Sequence, residues 1–89
     1  MNALIRRHAD VLATPLDDTL LMMSVEKGMY YSLNPIASRI WELLAEPTTV
    51  ADIVRQLQRE YDVGAEQCGT EVTAFLAALR DRNLLQEAA

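Results

Sequence analysis

The chain changes rhythm at Asn34-Pro35, and that change limits its fold more than any other feature. Before it, apolar residues come in short runs broken by turn residues. After it, they recur at helical spacing. Val11 to Leu16 (VLATPL), Thr19 to Val25 (TLLMMSV) and Met29 to Leu33 (MYYSL) are each of strand length, bounded by turns and without helical period. Pro15 cannot donate to a ladder, so the first run is an edge strand or a broken one. Asp17-Asp18 separates the first two runs. Glu26-Lys27-Gly28 separates the second from the third, with Gly28 free to take positive φ. Two runs joined by a short glycine-containing turn predict an antiparallel hairpin.

Asn34-Pro35 itself is a helix start, with Asn as N-cap and Pro at the first helical position. Ile36, Ile40, Leu43 and Leu44 then mark a buried stripe, and Ile40 and Trp41 are assigned to the core. Glu46-Pro47 stops this helix. Thr48 or Thr49 caps the next, with Asp52 three residues beyond Thr49 as an approximate capping box. Val50, Ile53, Val54, Leu57 and Tyr61 form the second stripe, ended by Asp62-Val63-Gly64. A third helix runs from about Ala65 to Arg82, with Cys68, Val72, Phe75, Leu76 and Leu79 on one face. Asn83 serves as its C-cap, and Leu84-Leu85 return to the core. Met1 to Ile5 and Gln86 to Ala89 carry no pattern and are expected to fray. The expectation is an α+β fold: a three-stranded antiparallel sheet followed by three helices, in the outline of a winged helix-turn-helix.

At 89 residues there is room for one domain with one modest core, ordered over about residues 9 to 86. Chemistry is hard to find in it. A nucleophile needs a base within hydrogen-bond reach. The single His, His8, falls in the unpatterned N-terminal arm, and the single Cys, Cys68, falls on an apolar helix face. No His/Cys cluster has metal spacing, and the glycines are isolated rather than grouped as a phosphate loop. The expectation is therefore no catalytic residue, no metal and no cofactor. A carrier-protein role would need an exposed Ser after an Asp, and none of Ser24, Ser32 and Ser38 follows one. The net charge of −5 and the dispersed basic residues argue against nucleic acid. The two local clusters, Arg6-Arg7 and Arg80/Arg82, read as solvated surface. No apolar run reaches membrane-spanning length, and no N-terminal segment has the form of a signal peptide. One cysteine excludes an internal disulfide, so a cytoplasmic location is expected.

The sheet remains. Its first strand is blunted by Pro15 and flanked by Asp10, Asp17 and Asp18. Its third, Met29-Tyr30-Tyr31-Ser32-Leu33, has neither charge nor Pro. At an edge, such a strand offers unpaired backbone groups to an incoming peptide. Spacing alone does not decide between that and an interior or covered strand.

The same residues carry a resemblance. An apolar strand, then Glu-Lys-Gly-Met-Tyr-Tyr-Ser-Leu-Asn (26 to 34), then Ala37 and Ile40-Trp41-Glu42-Leu43-Leu44, is similar to the PqqD-like family. So is the continuation through Thr49-Val50, Ile53, Tyr61-Asp62-Val63, Val72, Phe75-Leu76, Leu79 and Asn83-Leu84-Leu85. The resemblance covers roughly residues 10 to 85, and Gly28 to Leu44 is its most specific part. It implies a recognition element for ribosomally made, post-translationally modified peptides (RiPPs). Such an element binds a precursor's leader as a further antiparallel strand, between the third strand and the third helix. It presents the precursor to a leader protease and cyclase, as in lasso-peptide pathways, or to a radical enzyme, as in pyrroloquinoline quinone biosynthesis. The Tyr-Tyr-Ser-Leu-Asn strand and the Cys68 to Leu85 segment look closer to the lasso type. On this basis the peptide-binding residues are expected among Met29, Tyr30, Tyr31, Ser32 and Leu33, with Val72, Phe75, Leu76 and Leu79 from the helix. Val72, Leu76 and Leu79 are expected as groove wall, and Arg80 or Arg82 as partner to an acidic leader side chain. Strand alternation puts Met29 and Tyr31 on the core face and Tyr30 and Ser32 on the other. Gly28 and Asn34 are assigned to the turn and the cap alone.

Overall fold

The computed structural model describes residues 4–8, 11–25 and 27–88. Asp10 and Glu26, both read above as flanking or turn residues, lie outside them, as do Met1 to Ala3 and Ala89. The described residues form β1 (Ile5–Arg7), β2 (Val11–Leu16), β3 (Thr19–Ser24), β4 (Met29–Leu33), α1 (Pro35–Leu43), α2 (Val50–Glu60), α3 (Ala65–Asp81) and β5 (Leu85–Glu87). The predicted sheet is present as β2-β3-β4, antiparallel throughout, with β3 in the centre.

Local chemistry explains the joints. The β2–β3 turn is only Asp17-Asp18, since Leu16 pairs with Thr19. Asp17 takes the left-handed region (φ 58°), which a short polar side chain tolerates. The Thr19 hydroxyl donates to the Leu16 carbonyl at 2.8 Å and closes the turn. Between β3 and β4 the left-handed position falls on Gly28 (φ 64°), whose N–H donates to the Ser24 carbonyl at 2.7 Å. Asn34 then accepts from the Ala37 N–H at 2.8 Å and fixes the start of α1. Of the two candidate threonines, Thr49 caps α2, accepting from the Asp52 N–H at 3.1 Å.

At the end of α3, Asn83 takes φ 61°. Its N–H donates to the Arg80 carbonyl, and the Leu84 N–H reaches back to the Leu79 carbonyl at 2.9 Å. These two bonds, with Leu84 and Leu79 both buried, make a Schellman cap. The cap turns the chain so that Leu84 and Leu85 enter the core, as expected.

The chain ends depart from expectation. Ile5 is 3% exposed, and β1 pairs antiparallel with β5, from Ile5 opposite Glu87 to Arg7 opposite Leu85. Ile5 also exchanges backbone hydrogen bonds with Thr48, at 2.7 and 2.9 Å, and Arg7 N–H donates to the Leu44 carbonyl. His8 N–H donates to the Leu84 carbonyl, so the segment expected to be a loose arm is tied on three sides. Thr48 is used here rather than as a cap. The basic pair Arg6-Arg7 is part-buried, not freely solvated. The Arg7 guanidinium lies 5.6 Å from the Trp41 ring centroid and donates to the Trp41 carbonyl at 3.4 Å. One hydrophobic cluster unites Ile5, Met22, Leu33, Ile40, Trp41, Leu44, Ile53, Leu57, Cys68, Val72, Leu76, Leu79, Leu84 and Leu85. Ile40 and Trp41 are core, as the sequence predicts.

Candidate functional site

β4 is an edge of the sheet. β3 pairs with one side of it, and among the described residues no strand pairs with the other. The alternative of an interior strand is thereby removed. A strand paired on one side only carries N–H and C=O groups directed away from its neighbour, available to a further strand.

Parity along β4 follows alternation. Leu33 is buried and Tyr31 half-buried, while Tyr30 and Ser32 are exposed. The Tyr31 hydroxyl donates to Met29 Sδ at 3.7 Å, which puts both side chains on one face. Met29 nevertheless is 51% exposed rather than core. It occupies the row Val11–Ser24–Met29 at the open edge, where among the described residues no further strand shields it.

On α3 the division between core and groove differs from expectation. Val72, Leu76 and Leu79 were the expected groove wall, yet they are 1%, 4% and 2% exposed and belong to the central cluster. The flank turned toward β4 is Glu71, Phe75, Ala78 and Arg82, at successive spacings of four, three and four residues. Phe75 and Ala78 are half-buried, and Glu71 and Arg82 are exposed. Two contacts locate this flank. Glu71 and Phe75 line a depression with Asn34, Ile36, Ala37 and Ile40, beside the C-terminal end of β4. The Arg82 guanidinium lies 5.3 Å from the Tyr31 ring centroid, a cation–π contact across the gap between α3 and β4. Leu76 lies about 100° round the helix from Phe75, and Arg80 about 160° from Arg82. Arg80 is thus a solvated residue on the far flank, not a groove residue, and of the two candidate cations only Arg82 touches β4.

Glu71 and Ala78 were missed because a search for apolar periodicity selects the core flank. The signal that could have found them is the mixed stripe containing Phe75, offset from the uniformly apolar one. Gly28 and Asn34 serve as turn and cap, as assigned.

The reactive groups sit apart from this gap or are subdued. Cys68 is buried, and burial first, then the nearby Glu71 charge, pushes its thiol pKa up, so the thiol stays protonated at neutral pH. Among the described residues no group of His, Cys, Asp and Glu is placed to hold a metal ion, and no helix is long and apolar enough to cross a membrane.

On the far side of α1, Arg39 and Glu60 form a bidentate pair, with Nε and Nη2 of Arg39 donating at 2.7–3.0 Å. Gln56 donates to the same carboxylate at 2.8 Å. The Arg39 hydrogen bonds, then that of Gln56, lower the Glu60 pKa to about 2. This pair ties α1 to α2 and has no part in the gap at β4.

The family model for coenzyme PQQ synthesis protein D (PqqD) matches residues 19–85. Among curated proteins none matches the chain. Three solved structures are similar over nearly its whole length. A structure of TbiB1 in complex with the TbiA(beta) leader peptide is 30% identical, with a TM-score of 0.85, over 94% of this chain and 98% of that one. A lasso peptide synthetase B1 complexed with its leader peptide is 21% identical, with a TM-score of 0.80, over 92% and 96%. The PqqD truncation of Methylobacterium extorquens PqqCD, described as a functional and stand-alone RiPP recognition element, is 19% identical, with a TM-score of 0.77, over 93% and 88%. The last two likenesses establish the fold.

Proposed function

The chain belongs to the PqqD family, and from that premise we propose that it is a RiPP recognition element that binds the leader of a ribosomally made precursor at β4. The leader adds as an antiparallel fourth strand and lies between β4 and the Glu71–Arg82 flank of α3. The observation that carries this is the unpaired, uncharged edge Met29–Leu33 beside a half-buried apolar side chain, Phe75. Two of the similar structures are leader complexes, one of them 30% identical, and that supports leader binding here.

In this role backbone hydrogen bonds supply general affinity, and side-chain pockets supply choice. Tyr31, Met29, Phe75 and Ala78 contact the leader's inward side chains. Tyr30 and Ser32 flank its outward ones. Val72, Leu76 and Leu79 act from behind, holding Phe75 and the helix at a fixed distance from the strand. The domain, residues 1–89 as one unit, performs no chemistry of its own. It raises the effective concentration of the attached core peptide at a partner enzyme, to the order of millimolar for a short flexible tether. No cofactor enters that mechanism, and the compartment is the cytoplasm, where precursors are made.

The partners we infer are a leader protease and a cyclase of a lasso-peptide pathway, in keeping with the lasso-type resemblance of the Tyr-Tyr-Ser-Leu-Asn strand. A second route, presentation to a radical enzyme in quinone-cofactor biosynthesis, draws on the family model that spans residues 19–85. A DNA-binding role is disfavoured by the net charge of −5.

The test is titration of 15N-labelled protein with a synthetic leader from the precursor frame neighbouring its gene. Saturable shifts are expected at Met29 to Leu33 and at Phe75, Ala78 and Arg82. A bound leader that left those amides unmoved would exclude the site. Pull-downs with leader-charged protein then separate the two routes by the enzyme retained.

A further inference from the structure

We propose that the groove reads the order of charge along the leader: a basic residue on its N-terminal side meets Glu71, and an acidic residue farther toward its C-terminal end meets Arg82. The inference rests on strand addition at β4 and specifies which peptides that edge accepts.

The groove wall is electrically polar. Glu71 shares its depression with Asn34 and Phe75, which puts the anion beside the Leu33 end of β4. Arg82 stands over Tyr31, which puts a cation at the middle of β4, on the Met29 side of Glu71. Lys27, exposed in the turn before Met29, adds a second positive charge at the Met29 end. Asp81 is about 100° round the helix from Arg82 and Arg80 about 160°, so neither joins the stripe. Among the described residues no carboxylate pairs with Arg82; its recorded contact is the Tyr31 ring. That leaves its guanidinium N–H donors available to a carboxylate.

Chain direction turns this polarity into a code. A strand antiparallel to β4 begins opposite Leu33 and ends opposite Met29. Its side chains facing α3 are every second one, those opposite Leu33, Tyr31 and Met29. Glu71 lies near Asn34, before the leader passes Leu33, and Arg82 lies at Tyr31, so the leader meets the anion first and the cation second. The order accepted is basic before acidic, read from N to C. The opposite order sets like charges together at both ends. The cost of each exposed pair is small, but two reversals together amount to about fivefold in affinity.

A library of displayed random nonapeptides, selected against the full-length protein, tests this without knowledge of the natural leader. Enriched peptides should carry the basic-to-acidic order about fivefold more often than its reverse. Selection against the Glu71→Arg/Arg82→Glu double variant should invert that preference, and Arg82→Gln alone should weaken it at the acidic position only. Both sites are exposed, and retention of the wild-type circular dichroism spectrum confirms folding. Enriched peptides that shift the β4 amides without any charge order, or with an order the double variant does not change, overturn the charge code while leaving strand addition intact. Absence of any peptide that shifts β4 overturns strand addition itself, and the code with it.

Discussion

The two edges of the main sheet, β2 and β4, differ in what stands beside them. β2 carries Pro15 and ends in Asp17-Asp18, and its side chains are exposed from Leu12 to Leu16. A depression does adjoin it, but Asp17, Asp18, Arg39 and Glu42 are among its lining residues, so charge surrounds the end of this strand. β4 has no Pro and no charge, and α3 runs alongside it with Phe75 half-buried and Arg82 on Tyr31. An open edge alone is an aggregation hazard. An open, uncharged edge beside an apolar side chain is the candidate site, since such a wall would add side-chain discrimination to the generic backbone bonds. The contrast extends into α3, whose core flank holds the wall in place while its β4 flank is the wall.

That division can be broken by substitution. Leu79→Ala on the core flank removes a fully buried side chain and should cost about 3 kcal/mol of stability, read as a lower denaturant midpoint at unchanged m. Phe75→Ala or Tyr31→Ala should cost less stability but about tenfold or more in leader affinity, measured by calorimetry. Leu12→Ala, on the β2 side, should leave that affinity within about twofold. If Leu12→Ala weakened leader binding as much as Tyr31→Ala does, the two edges would not differ as described.

Smaller effects address the supports. Asn83→Ala puts a β-branched-free but ordinary side chain into a left-handed cap and should cost about 1 kcal/mol, whereas Asn83→Gly should be neutral or stabilising. Thermal unfolding distinguishes the two. The Arg39–Glu60 pair gives a pH signature. The folded-state pKa of Glu60, about 2, lies below its ordinary 4.5. Its contribution is therefore complete above about pH 5 and is lost as pH falls through 4.5 toward 2. Partial exposure limits it to about 1 kcal/mol. Arg39→Gln should flatten that part of the stability profile while leaving leader affinity at neutral pH unchanged.

Much of the fold was legible because its joints are local. Asn34-Pro35, Asp17-Asp18, Gly28 and Asn83 each impose a backbone conformation within a few residues, and each does so as expected. The β1–β5 ribbon was not legible. It joins Ile5 to Glu87 through a strand with one apolar residue followed by two arginines, too short to show a period. Strand β4 itself was legible but its edge position was not, since a lack of charge and proline suits an interior strand equally; the sheet order β2-β3-β4 decides it. The helix flank facing β4 was only partly legible. Apolar residues report burial, and Val72, Leu76 and Leu79 were therefore assigned to the groove when they belong to the core. A wall that must meet a polar, mixed ligand is itself mixed, as Glu71, Phe75, Ala78 and Arg82 are.

Hydrogen exchange of the full-length protein with and without saturating leader tests the central claim most directly. Added protection is predicted across Met29 to Leu33, with β2 from Val11 to Leu16 exchanging as in the free protein. Protection gained at β2, or at neither edge while the leader is bound, would contradict it.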